Sequence, residues 1–521
     1  MALAEKQHHY GFKLEPVRGT IFDRHLHPLA VNIPVESLYA NPRQMARADK
    51  LRAKELLPGI IPISADTLCE RLARHKLFVW LARKLDSDQV QRIKALEIPG
   101  LGFRKESKRH YPNHHLAAHL IGFAGMENAG LEGLELQFDS YLKGQAGWSQ
   151  IIRDARQREL LIEKNFIPPQ NGFHLVLTID ETIQYITEQA LDQMFVLSNA
   201  RAASVIVMDP RTGEVLALAN RPTYSLDDFA NSPVENRTNR AIAYMYEPGS
   251  VFKIVAASAA LEENVFSEQD EVFCENGSYR VGNHILHDYH PYGTLTFQDV
   301  IVNSSNIGTT KVAQKMGPAV FYKYAQRFRF GMKTGIDLAG EVGGVLKPPS
   351  EWSKTSIGAV PIGHEVAVTP LQLVCAIAAI ANDGIYMKPY MVKYITDEQN
   401  EIIKIQQPQV LGRVLSHDTA RRIKEILTAV VERGTGRRAQ IKGVRIAGKT
   451  GTAQKVINGS YSDSKFYASF IGFAPADDPR IAMVVVFDDP HPNHFGGTVA
   501  APVFKEVVAD VLKYQQSCEY E

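Results

Sequence analysis

The chain has 521 residues, 45% of them hydrophobic and 22% charged, and its formal net charge is +1. Such values exclude a disordered chain and give no global electrostatic case for binding nucleic acid, while the length exceeds one ordinary core and implies two or three domains. Four cysteines, Cys69, Cys274, Cys375 and Cys518, stand far apart without a CxxC pair, which argues against a disulfide or metal framework, and no apolar run approaches the roughly 18 residues of a membrane span.

In chain order, "MALAEKQHHYGF" is a polar opening without a signal peptide. It fits a soluble protein, and equally a protein whose N-terminal membrane anchor lies outside this sequence. Residues 1–170 are rich in charge and lack long apolar strands. Apolar residues recurring every three or four positions predict helices near 43–58 and 64–96, the second with Asp66 as N-cap. Pro168, Pro169 and Gly172 in "IEKNFIPPQNG" punctuate the chain and place a boundary there, between a domain of residues 1–170 and one of residues 171–521. Beyond it, "FHLVLTID" reads as a strand and 181–198 as a helix. "ASVIVMDPRTGEVLALAN" reads as a hairpin about 209–213, "FYASFIGFAPADDPRIAMVVVFDDP" as a second turning at 475–480, and about 500–515 as a final helix. Strands at both ends with helices between predict an α+β fold, one antiparallel sheet with helices packed on its faces.

Chemistry enters at "YEPGSVFKIVAASAALEE", a turn followed by a greasy helix. Ser250 and Lys253 are three apart and share a helical face. Ser250 falls in the first turn, where unpaired N–H groups favour developing negative charge. Lys253, among Val251, Phe252, Ile254 and Val255, is desolvated toward its neutral amine, a general base beside a nucleophile. By itself SxxK proves little, since Ser140–Lys143 and Ser462–Lys465 repeat it in polar surroundings. Two further features support it. Ser304-Ser305-Asn306 is a polar triplet between Val302 and Ile307, and Lys449-Thr450-Gly451-Thr452 follows a β-prone run. A second KTG at Lys333-Thr334-Gly335 follows a helical segment and leads into a loop; the copy at 449 precedes the C-terminal hairpin, where a strand can carry it along an exposed sheet edge.

SxxK, SxN and KTG in this order are the signature set of penicillin-binding proteins and serine β-lactamases. "EPGSVFK", "SSNIG", "TGIDLAGE", "VTPLQL", "AGKTGTAQ" and "TVAAPVF" resemble a class B penicillin-binding protein, a monofunctional peptidoglycan transpeptidase. "RGTIFDR" (18–24), "RHYP" (109–112) and "GLEGLELQFDSYLKGQAG" (130–147) resemble the non-catalytic pedestal of that class, so the resemblance covers roughly 15–515. It implies a transpeptidase domain of the serine β-lactamase type behind an elongated α+β pedestal. It also implies an anchor in the cytoplasmic membrane, with the catalytic domain on its outer side.

The implied chemistry is acyl transfer. Ser250 attacks the penultimate D-alanine of a D-Ala-D-Ala stem peptide and Lys253 takes its proton. Backbone N–H groups of Ser250 and Thr452 form the oxyanion hole. Ser304 passes a proton to the leaving amine, Asn306 orients Lys253 and the substrate amide, and Lys449 supplies positive charge. Thr450, Gly451 and Thr452 bind the terminal carboxylate. β-Lactams would acylate Ser250 and stall. Implied partners are stem peptides, β-lactams, a membrane glycosyltransferase and division proteins, with no nucleic acid and no cofactor. The motif neighbourhoods "EPGSVFK" and "FCENGSY" look closest to the division and sporulation branch. The alternatives are an elongation-type enzyme, a β-lactam-acylated sensor and a hydrolase; no ExxLN-like stretch between SxN and KTG supports the last. Cys274, His284, His287 and His290, with Asp288 nearby, have zinc-capable side chains, but their spacing fits no standard module and no metal is expected. "RGTIFDR" reads as an interdomain salt-bridge network, and His491 and His494 as rim residues of the cleft.

Overall fold

The computed structural model describes residues 9–153, 159–160 and 166–519. In the N-terminal part, strands β1 (Ile21–Phe22), β2 (Pro28–Ala40), β3 (Val79–Leu85) and β4 (Leu101–His110) surround helices α1 (Arg47–Leu56), α2 (Ala65–Ala73) and α3 (Ser87–Lys94). β2 pairs antiparallel with β1, β3 and β4. Leu38 and Leu81 from the sheet meet Leu57, Leu68, Leu72, Val90 and Ile93 from the helical side in one small core.

One sequence expectation changes here: the segment read as one helix over 64–96 is α2, then β3, then α3. Residues 1–170, read as lacking long apolar strands, do hold two long strands, the 13-residue β2 and the 10-residue β4. The cause is burial. β4 ("LGFRKESKRH") is mostly half-buried and carries charges on both faces, and β2 is half-buried too, so neither shows a long apolar run. The cap of α2 is Ser64, whose Oγ accepts from the Thr67 N–H; Asp66 lies inside the first turn.

The C-terminal part is built on a five-stranded antiparallel sheet. Its strands are β6 (Ala202–Met208), β7 (Val215–Arg221), β10 (Ala447–Ile457), β11 (Ser460–Ala474) and β12 (Ile481–Asp488), in the order β7-β6-β12-β11-β10. The two hairpins read from the sequence are β6–β7 and β11–β12, and β10 is an edge. Every residue of β6, β7 and β12 is buried because both faces are covered. Val205, Val207, Val485 and Phe487 point to α4 (Glu181–Ser198) and α9 (Gly496–Glu519). Ile206, Met208, Val484 and Val486 point to the opposite layer, helices α5 (Lys253–Glu262), α6 (Asn306–Met316), α7 (Pro370–Ala381) and α8 (His417–Glu432). α7, "PLQLVCAIAAIA", is buried along its whole length, as a helix apolar all round must be. Thr369 and Gln372 close its start as a capping box, with Pro370 at the first position. The final helix is longer than the 500–515 expected, starting at Gly496.

A second sheet joins the two parts. Strand β5 (His174–Leu177) pairs parallel with β1 and antiparallel with β8 (Val392–Thr396), which pairs with β9 (Ile402–Ile405). The strand just after the Pro168–Gly172 punctuation thus hydrogen-bonds to residues of both the N-terminal and the C-terminal part. The "RGTIFDR" segment divides its work. Arg24 reaches Glu214 in the C-terminal part at 2.8 Å, whereas Arg18 stays within the N-terminal part on Glu135 and Asp139, both at 2.6 Å.

Candidate active site

Ser250 sits in a 3-10 turn, Gly249–Phe252, that runs straight into α5, so the nucleophile candidate is at the N-terminal end of a buried helix. The turn is wedged between β10 and the loop at Gly363. Gly249 has φ +59°, donates its N–H to the Gly363 carbonyl at 3.2 Å, and a side chain on it would meet Thr452 O and Ala453 Cβ at 3.0 Å. On β10, a Cβ at Gly451 would fall 2.3 Å from Ser469 Oγ, 2.9 Å from Val251 and 3.0 Å from Pro248 O. Glycine at both positions lets the edge strand lie directly on the turn that carries Ser250.

Lys253 is fully buried, and its Nζ donates to Ser304 O at 2.6 Å and Asn306 Oδ1 at 2.7 Å, with Ser304 Oγ at 3.3 Å. Burial pushes this amine down to about 7, against a smaller upward pull from Asp288 and then Cys274. A neutral amine has two N–H bonds and one lone pair. The two short hydrogen bonds use both N–H groups, which leaves the lone pair for a third direction. Ser304 lies just before α6 in the left-handed region, φ +59°, a conformation uncommon outside glycine and concentrated at functional sites. That backbone twist gives Lys253 both the carbonyl and the hydroxyl of one residue.

Lys449, on β10, is also fully buried and donates to Ser304 Oγ at 2.8 Å and Thr450 O at 3.1 Å. Ser304 Oγ therefore stands between two lysines. Burial, and then the proximity of Lys253, push Lys449 well below its ordinary value. Both of its hydrogen-bond partners are neutral, so the positive charge expected at Lys449 has no counter-charge among them. Its neighbour Thr450 shares a hydrogen bond with Thr435 Oγ1 at 2.7 Å, and Thr452 Oγ1 accepts from Gly496 N–H at 3.2 Å. Ser250, Lys253, Ser304, Asn306, Lys449, Thr450, Gly451 and Thr452 come from three separated stretches that meet here: Lys253 and Lys449 share Ser304, and the Ser250 turn lies on the strand of Thr450, Gly451 and Thr452. Tyr289 and Phe495 meet edge-to-face at 5.5 Å, joining the loop beside α6 to the start of α9.

The repeats of the motifs lie elsewhere. Thr334 is buried in a loop closed by Glu341, which accepts from its N–H and hydroxyl at 2.6 Å each. Lys143 and Lys465 are exposed. Among the described residues, Cys274, His284, His287 and His290 do not form a ligand cluster. The Cys274 thiol is buried beside Val272 O and Ser305 Oγ, with burial raising its pKa, while His284 and His287 are exposed on a hairpin, opposite Val281 and Ser278. His494 stacks on Phe466 at 4.0 Å, and Phe466 pairs with Gln454 of β10.

Sequence reasoning missed Thr435 and Gly496, whose partners lie 15 and 44 residues away in the chain. It also missed Asp288, whose Oδ1 accepts from the Asn306 and Ile307 N–H groups and whose Oδ2 accepts from Ser305 Oγ at 2.6 Å. The one available signal was an acid in a polar run before a helix start, too common to single out.

Comparisons with known proteins follow the same outline. A model described as the penicillin binding protein transpeptidase domain matches residues 203–509, and one described as the penicillin-binding protein dimerisation domain matches residues 13–177. Stage V sporulation protein D of Bacillus subtilis is 34% identical over 520 residues, covering 98% of this chain and 80% of that protein. Peptidoglycan D,D-transpeptidase FtsI of Escherichia coli is 34% identical over 503 residues, covering 95% and 83%. A crystal structure of penicillin binding protein 3 from Mycobacterium tuberculosis, complexed with aztreonam, superposes with a TM-score of 0.77 at 29% identity, covering 97% of each chain.

Proposed function

The chain belongs to the penicillin-binding proteins, joining a transpeptidase domain to a dimerisation domain, and from that premise we propose how its residues carry out peptidoglycan D,D-transpeptidation. The protein is a serine-type D-Ala-D-Ala transpeptidase; stem peptides are its substrates and β-lactams its covalent inhibitors. Ser250 is the nucleophile. The lone pair of neutral Lys253 takes the Ser250 proton as the hydroxyl oxygen attacks the penultimate D-alanine carbonyl. The backbone N–H groups of Ser250 and Thr452 receive the oxyanion. Ser304 Oγ, between the two lysines, hands a proton to the departing D-alanine nitrogen and is reprotonated from Lys253, leaving an ester on Ser250 and Lys253 neutral again. The carboxylate of that D-alanine binds at Lys449, Thr450 and Thr452, and brings the counter-charge that the neutral partners of Lys449 do not supply. An amine of a second stem peptide then attacks the ester, Lys253 takes the amine proton and returns it to the departing Ser250 oxygen, and the cross-link is complete.

The observation that carries this reading is the fully buried Lys253 amine, held down to about 7 with both N–H groups engaged on Ser304 and Asn306. The acid that bears on it, Asp288, is held by Ser305 and the first N–H groups of α6.

The division into a 1–170 pedestal and a 171–521 catalytic domain belongs to the same reading, with the pedestal presenting surfaces to a membrane glycosyltransferase and division proteins. A relative named for stage V sporulation supports a role in septal wall synthesis. The protein works at the cytoplasmic membrane, its catalytic domain on the outer face where stem peptides lie; among the described residues no helix is long and apolar enough to cross a membrane. The test is a cross-linking assay on stem-peptide-bearing glycan with a primary amine acceptor. Wild type must form peptide dimers with release of one D-alanine per cross-link, and Ser250→Ala must form none; D-alanine release without dimers would replace transfer by hydrolysis.

A further inference from the structure

A hairpin, Ser278–Val281 with His284–His287, lies exposed beside the cleft, and the chain leaving it passes under the start of α6. His287, its last residue, and Asp288, the next one along the chain, both act on Asn306. The His287 carbonyl accepts from Asn306 Nδ2 at 3.0 Å. A carbonyl can only accept, so this contact fixes which end of the amide faces it and turns Oδ1 toward Lys253. Asp288 takes the backbone N–H of Asn306 and, at 3.0 Å, that of Ile307, and also holds Ser305, which itself caps Gly308 N–H at 2.9 Å. The first turn of α6 is therefore capped twice, and the second cap comes from a carboxylate outside the three motifs.

We propose that Asp288 is a positioning residue for acylation: with His287 it aims Asn306 at Lys253, and its charge bears directly on the Lys253 amine. The inference rests on the reading of Lys253 as the base. The charged or titratable groups facing Lys253 are Asp288 from this loop, Cys274 from the turn before the hairpin and Lys449 from β10, with Lys311 held away on Glu275. Of these, only Asp288 is a carboxylate. Removing its charge leaves burial opposed only by the smaller pull of Cys274, so the amine loses its proton at lower pH and becomes a weaker base.

The test is the pH profile of acylation of the whole chain by a fluorescent penicillin, with unfolding midpoints recorded alongside. Asp288→Asn keeps the shape and an accepting oxygen but removes the charge. Its acid limb should move down by about half a pH unit or more, and its plateau rate should fall about tenfold. Ser305→Ala weakens the cap while leaving the charge, and its acid limb should stay with wild type. An unmoved limb in Asp288→Asn, or an equal shift in Ser305→Ala, overturns the inference. If Asp288→Asn fails to fold, Asp288→Glu carries the test: charge retained, its limb must stay with wild type while its plateau falls, and a moved limb overturns the inference. Failure of the underlying reading looks different, because wild type would then form no adduct on Ser250 at all.

Discussion

At the scale of residues, the chemistry is concentrated in one lysine whose surroundings do two things at once. Burial drives Lys253 toward the neutral amine, and Ser304 O with Asn306 Oδ1 hold that amine in a single orientation. A pH dependence follows. The neutral amine is the active form, so with a value of about 7 acylation should rise with pH through that region and fall as the amine is protonated below it, about tenfold per pH unit on the acid side. An acid limb near the ordinary lysine value would contradict this. Lys253→Ala should abolish acylation in a protein that still unfolds cooperatively; retained acylation would remove Lys253 as base. The lysine was legible in the sequence because an amine among apolar residues is costly without a purpose. Its partner Asp288 was not, because a carboxylate that caps a helix 18 residues further on leaves no periodic trace.

At the scale of elements, the site exists because an edge strand can lie on a helix start without side chains between them. Gly451→Ala would drive its Cβ toward Ser469 Oγ, Val251 and Pro248 O. We expect an overpacking cost of about 1–3 kcal/mol and a larger loss of acylation, because the strand carrying Lys449 and Thr452 must shift. Denaturant titration together with acylation rates checks this; unchanged rates would show that the strand has room. Elements with strong burial on both faces, such as β6 and β12, were readable because the burial is written as unbroken apolar runs. β3 was not. Its residues Leu81 and Leu85, with Phe78 just before the strand, stand three and four apart as on a helix, and only pairing with β2 decides between the two. The N-cap Ser64 was misplaced to Asp66 for a related reason: both are good caps two positions apart.

At the scale of the whole molecule, the two parts are joined by a shared sheet and by polar contacts across the junction, and each part has its own buried network. Within the N-terminal part, Arg18 and Arg109 both grip Glu135, at 2.6 Å each, with Glu135 and Arg18 fully buried. Arg18→Ala leaves Glu135 half-compensated inside the fold and should cost about 3–5 kcal/mol in denaturant titration, while the folded fraction keeps its acylation rate. A second contact crosses the junction itself. His119, from the N-terminal part, donates to Asn236 O at 2.8 Å and packs edge-on against Tyr224. Burial pushes its pKa down from 6.5 to about 4. The unfolded chain takes up a proton below 6.5 while the folded one resists until about 4, so stability should fall as pH drops across that window, by roughly 2–4 kcal/mol from this group. His119→Gln should flatten that slope; an unchanged slope would assign the acid sensitivity elsewhere.

The central claim, that Ser250 forms the acyl-enzyme, is tested most directly by mass spectrometry of the protein after reaction with a labelled penicillin. The account predicts one adduct per chain, on the peptide containing Ser250, stable long enough to isolate. An intact, folded protein with no adduct on Ser250, or an adduct on Ser140 or Ser462 in its place, would contradict it.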